Sequence, residues 1–114
     1  MSLSLGRKAI TLAGERVELC CTMRAATTIS DLYGGLLAAQ QRCINLDATA
    51  IVVVVNAGAN RNGEAAKKTD EQVFAAGLQT VAGDVIEFIT LLANGGRPPS
   101  AGSPGADTVG NGEG

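Results

Sequence analysis

The hydrophobic pattern of this chain changes period once, near Met23, and that change limits the fold more than any other feature. Before it, apolar residues alternate with others over Lys8–Leu12 and Val17–Cys21, on either side of Gly14. After it, apolar residues recur at three- and four-residue steps, which is typical of helices. The chain therefore predicts an α+β fold, an N-terminal β-hairpin followed by about four or five short helices.

Glycine adopts the positive φ that a tight hairpin turn requires, so the turn is expected at Gly14. Placing the two-residue loop at positions 14 and 15 sets Leu12 opposite Val17 and Ile10 opposite Leu19. Residues that pair across two strands lie on the same face of the sheet. These four side chains are therefore predicted to form the buried face of the hairpin.

Cap residues and glycines divide the remainder of the chain into helices. Thr22 is a typical N-cap for a helix to about Tyr33, and Gly34-Gly35 separates it from a second helix over Leu36–Ile44. Further along, the capping box Thr69–Gln72 predicts the start of another helix. This helix is predicted to carry the apolar residues Val73, Phe74 and Leu78, with Gly77 weakening it near its end. A last apolar helix is predicted from the three- and four-residue steps of Val81, Val85, Phe88, Ile89 and Leu92. Asn94-Gly95-Gly96 is predicted to stop this last helix.

The segment from Ala48 to Ala57 contains four consecutive valines and has no usable period. Valine favours strands, yet an apolar run of this kind also occurs in a helix that is buried on most sides. Asp47 as an N-cap and Gly58 as a stop signal favour a helix of about ten residues. We therefore predict a helix here.

Composition separates the ends of the chain from its middle. All three prolines follow Gly95, where the chain is also rich in glycine and poor in large apolar residues. Such a segment buries too little surface to offset the entropy of ordering it. We interpret residues 1–5 as an expression-vector remnant and N-terminal arm, residues 6–96 as one α+β domain, and residues 97–114 as a flexible, disordered tail.

Charge and residue types argue against several classes of function. Nine basic and eleven acidic residues form no block of one sign, so nucleic-acid binding is not expected. The apolar run at 50–55 is far too short to span a bilayer. There is no histidine, and Cys20, Cys21 and Cys43 lack metal-site spacing, so we expect reduced thiols, no metal and no cofactor.

No catalytic constellation stands out, and we expect a protein that is not an enzyme. Gly58–Gly63 has the glycine spacing of a phosphate-binding loop, but Glu64 and Ala65 replace the lysine and hydroxyl residue of that motif. A loop between helices explains the spacing. Asp84 and Glu87 lie one turn apart, which a solvated helix face explains equally well.

Two features favour binding to other proteins. The open edges of a two-stranded hairpin are normally covered, charged or used for pairing, and the folded region has more small apolar residues than one small core needs. Self-association through the hairpin edge is one expectation, and a compact monomer is the alternative. The candidate partner-contact residues are Arg7, Lys8, Arg16, Glu18, Leu36 and Leu37.

The order of these elements resembles a known family. A hairpin of the form Ile10–Leu19 leads into Thr22–Ala26, then Gly34-Gly35 and Leu36-Leu37, with a valine-rich helix beyond. This pattern is similar to the tail assembly chaperone, or tail-component, family of tailed bacteriophages, prophages and gene transfer agents. The resemblance implies a non-enzymatic role in tail morphogenesis inside the cytoplasm of a bacterial host cell.

As a chaperone, such a protein would hold the long helical tape-measure protein soluble while tail-tube protein polymerises around it. Tape-measure or tail-tube protein is therefore the implied partner. One alternative is a structural tail subunit that remains in the finished virion or particle. The other is a small ligand-binding domain that uses the loop Gly58–Gly63.

Overall fold

The computed structural model describes residues 6–97 and confirms the α+β prediction. The expected N-terminal remnant at residues 1–5 and, apart from Arg97, the expected C-terminal tail lie outside the described residues. Two antiparallel strands precede five helices. They are β1 (Arg7–Leu12), β2 (Glu15–Cys20), α1 (Met23–Tyr33), α2 (Leu36–Ile44), α3 (Ala48–Ala59), α4 (Gly63–Ala76) and α5 (Leu78–Ala93).

The predicted register of the hairpin is wrong by two residues, although the predicted buried face is right. The loop is formed by Ala13 and Gly14, with φ of 49° and 88°, and Leu12 pairs with Glu15 instead of Val17. Both loop positions of such a turn need a positive φ, and here alanine adopts it despite its cost. A shift of two residues leaves every side chain on its own face. The buried residues remain Ile10, Leu12, Val17 and Leu19.

The first two helices lie where the sequence places them. The Thr22 hydroxyl accepts a hydrogen bond from the Ala25 N–H at 3.0 Å and caps α1. Gly34 ends that helix in the left-handed region with φ of 83°. This conformation suits glycine, and it directs the chain into α2.

The valine-rich segment is a helix, α3, as the sequence predicts. The Asp47 carboxylate accepts a hydrogen bond from the Ala50 N–H at 3.2 Å, as the N-cap assignment requires. The stop predicted at Gly58 is wrong, because the helix continues to Ala59 and ends at Asn60 with φ of 57°. Asparagine tolerates this left-handed conformation, so Asn60 ends the helix and Gly58 lies inside it.

The start of α4 also differs from the prediction. The helix begins at Gly63 after the N-cap Asn62, so Thr69 lies in its interior and is fully buried. The residues between Gly63 and Thr69 include alanine, glutamate and lysine, which are strong helix formers. Gly77, with φ of 101°, ends α4, so the prediction that Leu78 belongs to the same helix as Val73 is wrong. Leu78 begins α5, and the two helices are bent by 117°.

α3 is the central element of the core. It contacts β2 and all four other helices, while β1 contacts α4 and α5. The apolar face of the hairpin therefore closes one side of a helical layer. The largest fully buried apolar side chains are Phe88, Leu12, Leu19, Ile29, Ile51, Ile89, Val54, Val55, Val73, Val81 and Val85.

Gly58 lets three elements meet at one point of this core. A Cβ placed on Gly58 would lie 2.9 Å from Cζ of Phe88 on α5 and 3.1 Å from Cβ of Leu19 on β2. Both distances are shorter than an ordinary van der Waals contact. The backbone of α3 is thus packed directly against a strand and a helix, and a larger residue at position 58 would require Phe88 or Leu19 to shift.

We expect Gly58→Ala to lower the free energy of unfolding by about 1–2 kcal/mol, because overpacking outweighs the gain of about 1 kcal/mol in helix propensity. Gly83→Ala is the matched control, since a Cβ on this helical glycine of α5 meets nothing within 4 Å. It should stabilise the domain by about 0.5–1 kcal/mol. Urea denaturation measures both. Equal stabilisation by the two substitutions would contradict the close packing at Gly58.

Candidate protein-interaction site

The described residues expose several large apolar side chains, and Phe74 is the most unusual of them. Its exposed fraction is 78%, although phenylalanine is among the residues most often buried. The sequence grouped Phe74 with Val73 as apolar residues of one helix, but only Val73 is buried. The other exposed large apolar residues are Met23, Leu32, Leu37, Ile44 and Leu46.

Phe74 stands at a mostly apolar groove of about 350 Å³ between α3 and the corner formed by α4 and α5. One wall comes from α3, the other from α4, and Leu78 at the start of α5 contributes the end. Apolar grooves of this kind, with a few polar groups, are common binding sites. The residues lining the groove are Ala48, Thr49, Val52, Val53, Asp70, Val73, Phe74 and Leu78.

The valine run explains how one helix serves both the core and the groove. Val54 and Val55 are fully buried, whereas Val52 and Val53 are only half-buried and line the groove. Four consecutive residues point around the whole circumference of a helix, at about 100° per residue. The run therefore has more apolar side chains than the core buries, and Val52 and Val53 form a wall of the groove instead.

Asp70 gives the groove a negative charge. It lies one turn before Phe74 on α4, and neither it nor the adjacent Glu71 forms an ion pair with another of the residues 6–97. Both side chains are exposed. On the preceding turn of α4, the Lys67 ammonium lies 3.8 Å from the Glu64 carboxylate. Since Asp70 alone of the two lines the groove, its carboxylate is thus available there to a cation from outside the domain.

A polar network holds α4 in place opposite α3. Arg61 Nη1 donates to the Thr69 hydroxyl at 2.9 Å and to Gln72 Oε1 at 2.7 Å, and the Thr69 hydroxyl donates to Asn56 Oδ1 at 2.6 Å. Thr69 is fully buried and Gln72 is 8% exposed. Buried polar groups need such partners, because an unsatisfied one costs about 1–3 kcal/mol.

The hairpin turn is attached to the same network. The Glu15 carboxylate accepts from Gln72 Nε2 at 2.6 Å and lies 3.4 Å from Nη2 of Arg61. The sequence signal that was interpreted as a capping box, Thr69 followed by Gln72, therefore marks the buried side of α4. The hydrogen-bond partners of Thr69 and Gln72 could not be predicted from the sequence, because they come from three separate elements.

The candidate contacts predicted on the hairpin are mostly engaged within the domain. The Lys8 ammonium lies 2.7 Å from the Glu87 carboxylate of α5 and is 20% exposed, on the helix-facing side of the sheet. Arg7 and Arg16 both pair with Glu18, at 3.1 Å and 3.2 Å, on the open face. The hydrogen bond from Arg16 holds the pKa of the Glu18 carboxyl below its usual range.

The other two candidate contacts lie on α2 and are not equivalent. Leu36 packs partly buried against the core, whereas Leu37 is 74% exposed. Leu37 shares a helix face with Ile44, seven residues on, which is 53% exposed. The structure therefore does not unite the six predicted residues into one surface.

The loop considered for a small ligand is built differently from a phosphate-binding loop. Gly58 is buried within α3, and Arg61 is turned inward with 12% of its side chain exposed. A groove of about 230 Å³ lies nearby. Its lining residues are Arg24, Thr28, Val53, Asn56, Ala57, Asn60, Arg61 and Asn62.

Within residues 6–97, no group of three or more His, Cys, Asp or Glu side chains is arranged to hold a metal ion. The three cysteines are free, and burial raises the pKa of the Cys43 thiol to about 11. At neutral pH that thiol is protonated and a poor nucleophile.

Comparison of the chain with protein-family models, curated proteins and solved structures finds no match. In the part of the chain that the structure describes, no single helix has both the length and the hydropathy to cross a bilayer. Only α4 and α5 taken together meet that test, as a pair bent by 117°.

Proposed function

We propose that this domain is a non-enzymatic protein-interaction module that acts as a tail assembly chaperone for a tape-measure protein. One observation carries the proposal: Phe74, with 78% of its surface exposed, stands at a groove lined by valines. An exposed apolar site of this kind favours protein binding. The tape-measure client rests on the resemblance of the hairpin and helix order to that family.

In this proposal the chaperone covers apolar stripes of a long helical client until tail-tube protein replaces it. The work takes place in the cytoplasm of a bacterial host cell. A client of this length would be held by many copies of the chaperone, each with a modest affinity. Because each copy binds its own site with modest affinity, tail-tube protein can replace the copies one at a time.

We expect this chain to co-purify with a tape-measure protein from the same genome when the two are co-expressed. Phe74→Ser should reduce the amount recovered by about tenfold, as removal of a buried aromatic anchor does at other interfaces. Met23→Ser is the matched control, because Met23 is equally exposed but does not line the groove. Absence of any tape-measure binding by the unaltered chain would overturn the proposed function.

Mass spectrometry of purified particles distinguishes the chaperone from a structural tail subunit. A chaperone is released before the tail is complete, so the finished particle should lack this chain. Its presence in a fixed ratio to the tail-tube protein would favour the structural role instead.

Self-association through the hairpin edge is a second part of the proposal. Within residues 6–97 no third strand pairs with the hairpin. The loop has two residues, and at the other end of the hairpin the Cys21 N–H donates to the Gly6 carbonyl at 2.6 Å. Along the ladder, pairs of residues that are hydrogen-bonded to each other therefore alternate with pairs whose N–H and C=O groups point away from the hairpin. The backbone groups of Ala9 therefore point away from β2 and are available to a strand from a second copy.

We expect light scattering to show association of the purified chain that grows with concentration. Ala9→Pro should abolish it while preserving the circular dichroism spectrum, because it removes an outward N–H and no bond of the hairpin. Ala9→Ser keeps the N–H and serves as the control. A chain that is monomeric at every concentration would refute self-association.

A further inference from the structure

We propose that the groove between α3 and α4 binds an amphipathic helix that carries two apolar anchors one turn apart and a lysine or arginine on its flank. This inference rests on the proposed function and names the chemistry of the segment that the site accepts. It follows from the shape of the groove, from the type of its walls and from the charge at Asp70.

The length of the groove fits about one helical turn of a ligand. Along α3 the lining residues extend from Ala48 to Val53, which corresponds to about 7.5 Å at 1.5 Å per residue. Two side chains four residues apart on a helix are separated by about 6 Å along its axis. A pair of apolar anchors at positions i and i+4 therefore matches the distance available.

The walls of the groove favour a helix over an extended strand. Apart from the first-turn N–H groups of α3, both walls use their backbone N–H and C=O groups within the helices, so they present side chains and no open ladder to a ligand. An extended peptide placed there would leave its own backbone groups unpaired as it lost water. A helix satisfies those groups internally and inserts only side chains.

The negative charge of the groove determines which charge the ligand carries beside its apolar anchors. Asp70 lines the groove and has no cationic partner among the described residues. A lysine or arginine beside the apolar anchors would meet Asp70 at the edge of the groove, where partial burial strengthens the attraction. A glutamate in the same place would be repelled, which gives selectivity between ligands.

Phe74 supplies the contact that closes over the anchors. Its ring is exposed on α4 opposite Val52 and Val53 on α3. An aromatic side chain at the mouth of an apolar pocket is typical of the few residues that dominate binding. The ring becomes buried only when a ligand occupies the groove, so its exposure in the free domain is explained.

The experiment uses labelled peptides of about 20 residues, a length at which alanine-based sequences form helices in water. The first carries leucines at positions i and i+4 and a lysine on the adjacent flank. The second has glutamate in place of that lysine, and the third has alanines in place of the leucines. Fluorescence anisotropy with the full chain measures their dissociation constants.

We expect the lysine peptide to bind at least about tenfold more tightly than either of the others. Asp70→Lys should reverse the preference between the lysine and glutamate peptides. Glu71→Lys is the matched control, because Glu71 does not line the groove, and it should leave the order unchanged. Phe74→Ser should weaken binding of the lysine peptide by about tenfold.

Equal binding of the lysine and glutamate peptides, or no reversal with Asp70→Lys, would overturn this inference. That failure is distinguishable from failure of the proposed function. If the tape-measure protein binds but the peptides show no selectivity, the function stands and the groove chemistry is wrong. If the peptides bind as expected and no tape-measure protein does, the groove chemistry stands and the client is wrong.

Discussion

The contact of Gly58 with Phe88 and Leu19 is the constraint on which the rest of the domain depends. It sets the distances of β2 and α5 from α3, the helix that contacts every other helix. Once these three elements are fixed, the apolar face of the hairpin closes the core. A side chain at position 58 would push these three elements apart and leave gaps elsewhere in the close-packed interior. Contacts at the surface would not compensate for such gaps.

The groove is a consequence of this arrangement. The central position of α3 buries Val54 and Val55, and the same valine run continues onto a side that the core does not reach. α4 comes to lie opposite that side because Gly77 turns the chain sharply and the network around Thr69 holds the helix there. A helix fixed by polar contacts on one face is free to present Phe74 and an acidic charge on another.

Much of the fold follows from local sequence signals, because those signals act within a few residues. Thr22 and Asp47 cap helices, and the alternating pattern selects the buried face of the hairpin. The errors at Gly58 and Thr69 arise where residues distant in sequence decide the structure, whereas the error in the hairpin register arises at the turn itself. Gly58 was assigned as a helix stop because its neighbours on α5 and β2 are far away in sequence. Thr69 was assigned as a cap for the same reason. The groove was missed because it forms only when α3 and α4 are placed side by side.

The most direct test of the groove as the functional surface is methyl NMR of the full chain with and without tape-measure protein. Val52 and Val53 line the groove, whereas Val54 and Val55 of the same helix are fully buried and serve as internal references. The proposed binding site requires large changes in methyl chemical shift at Val52, Val53, Val73 and Leu78. The changes at Val54 and Val55 should be small. Binding that leaves these groove methyls unchanged while other surface methyls shift would contradict the proposed binding site.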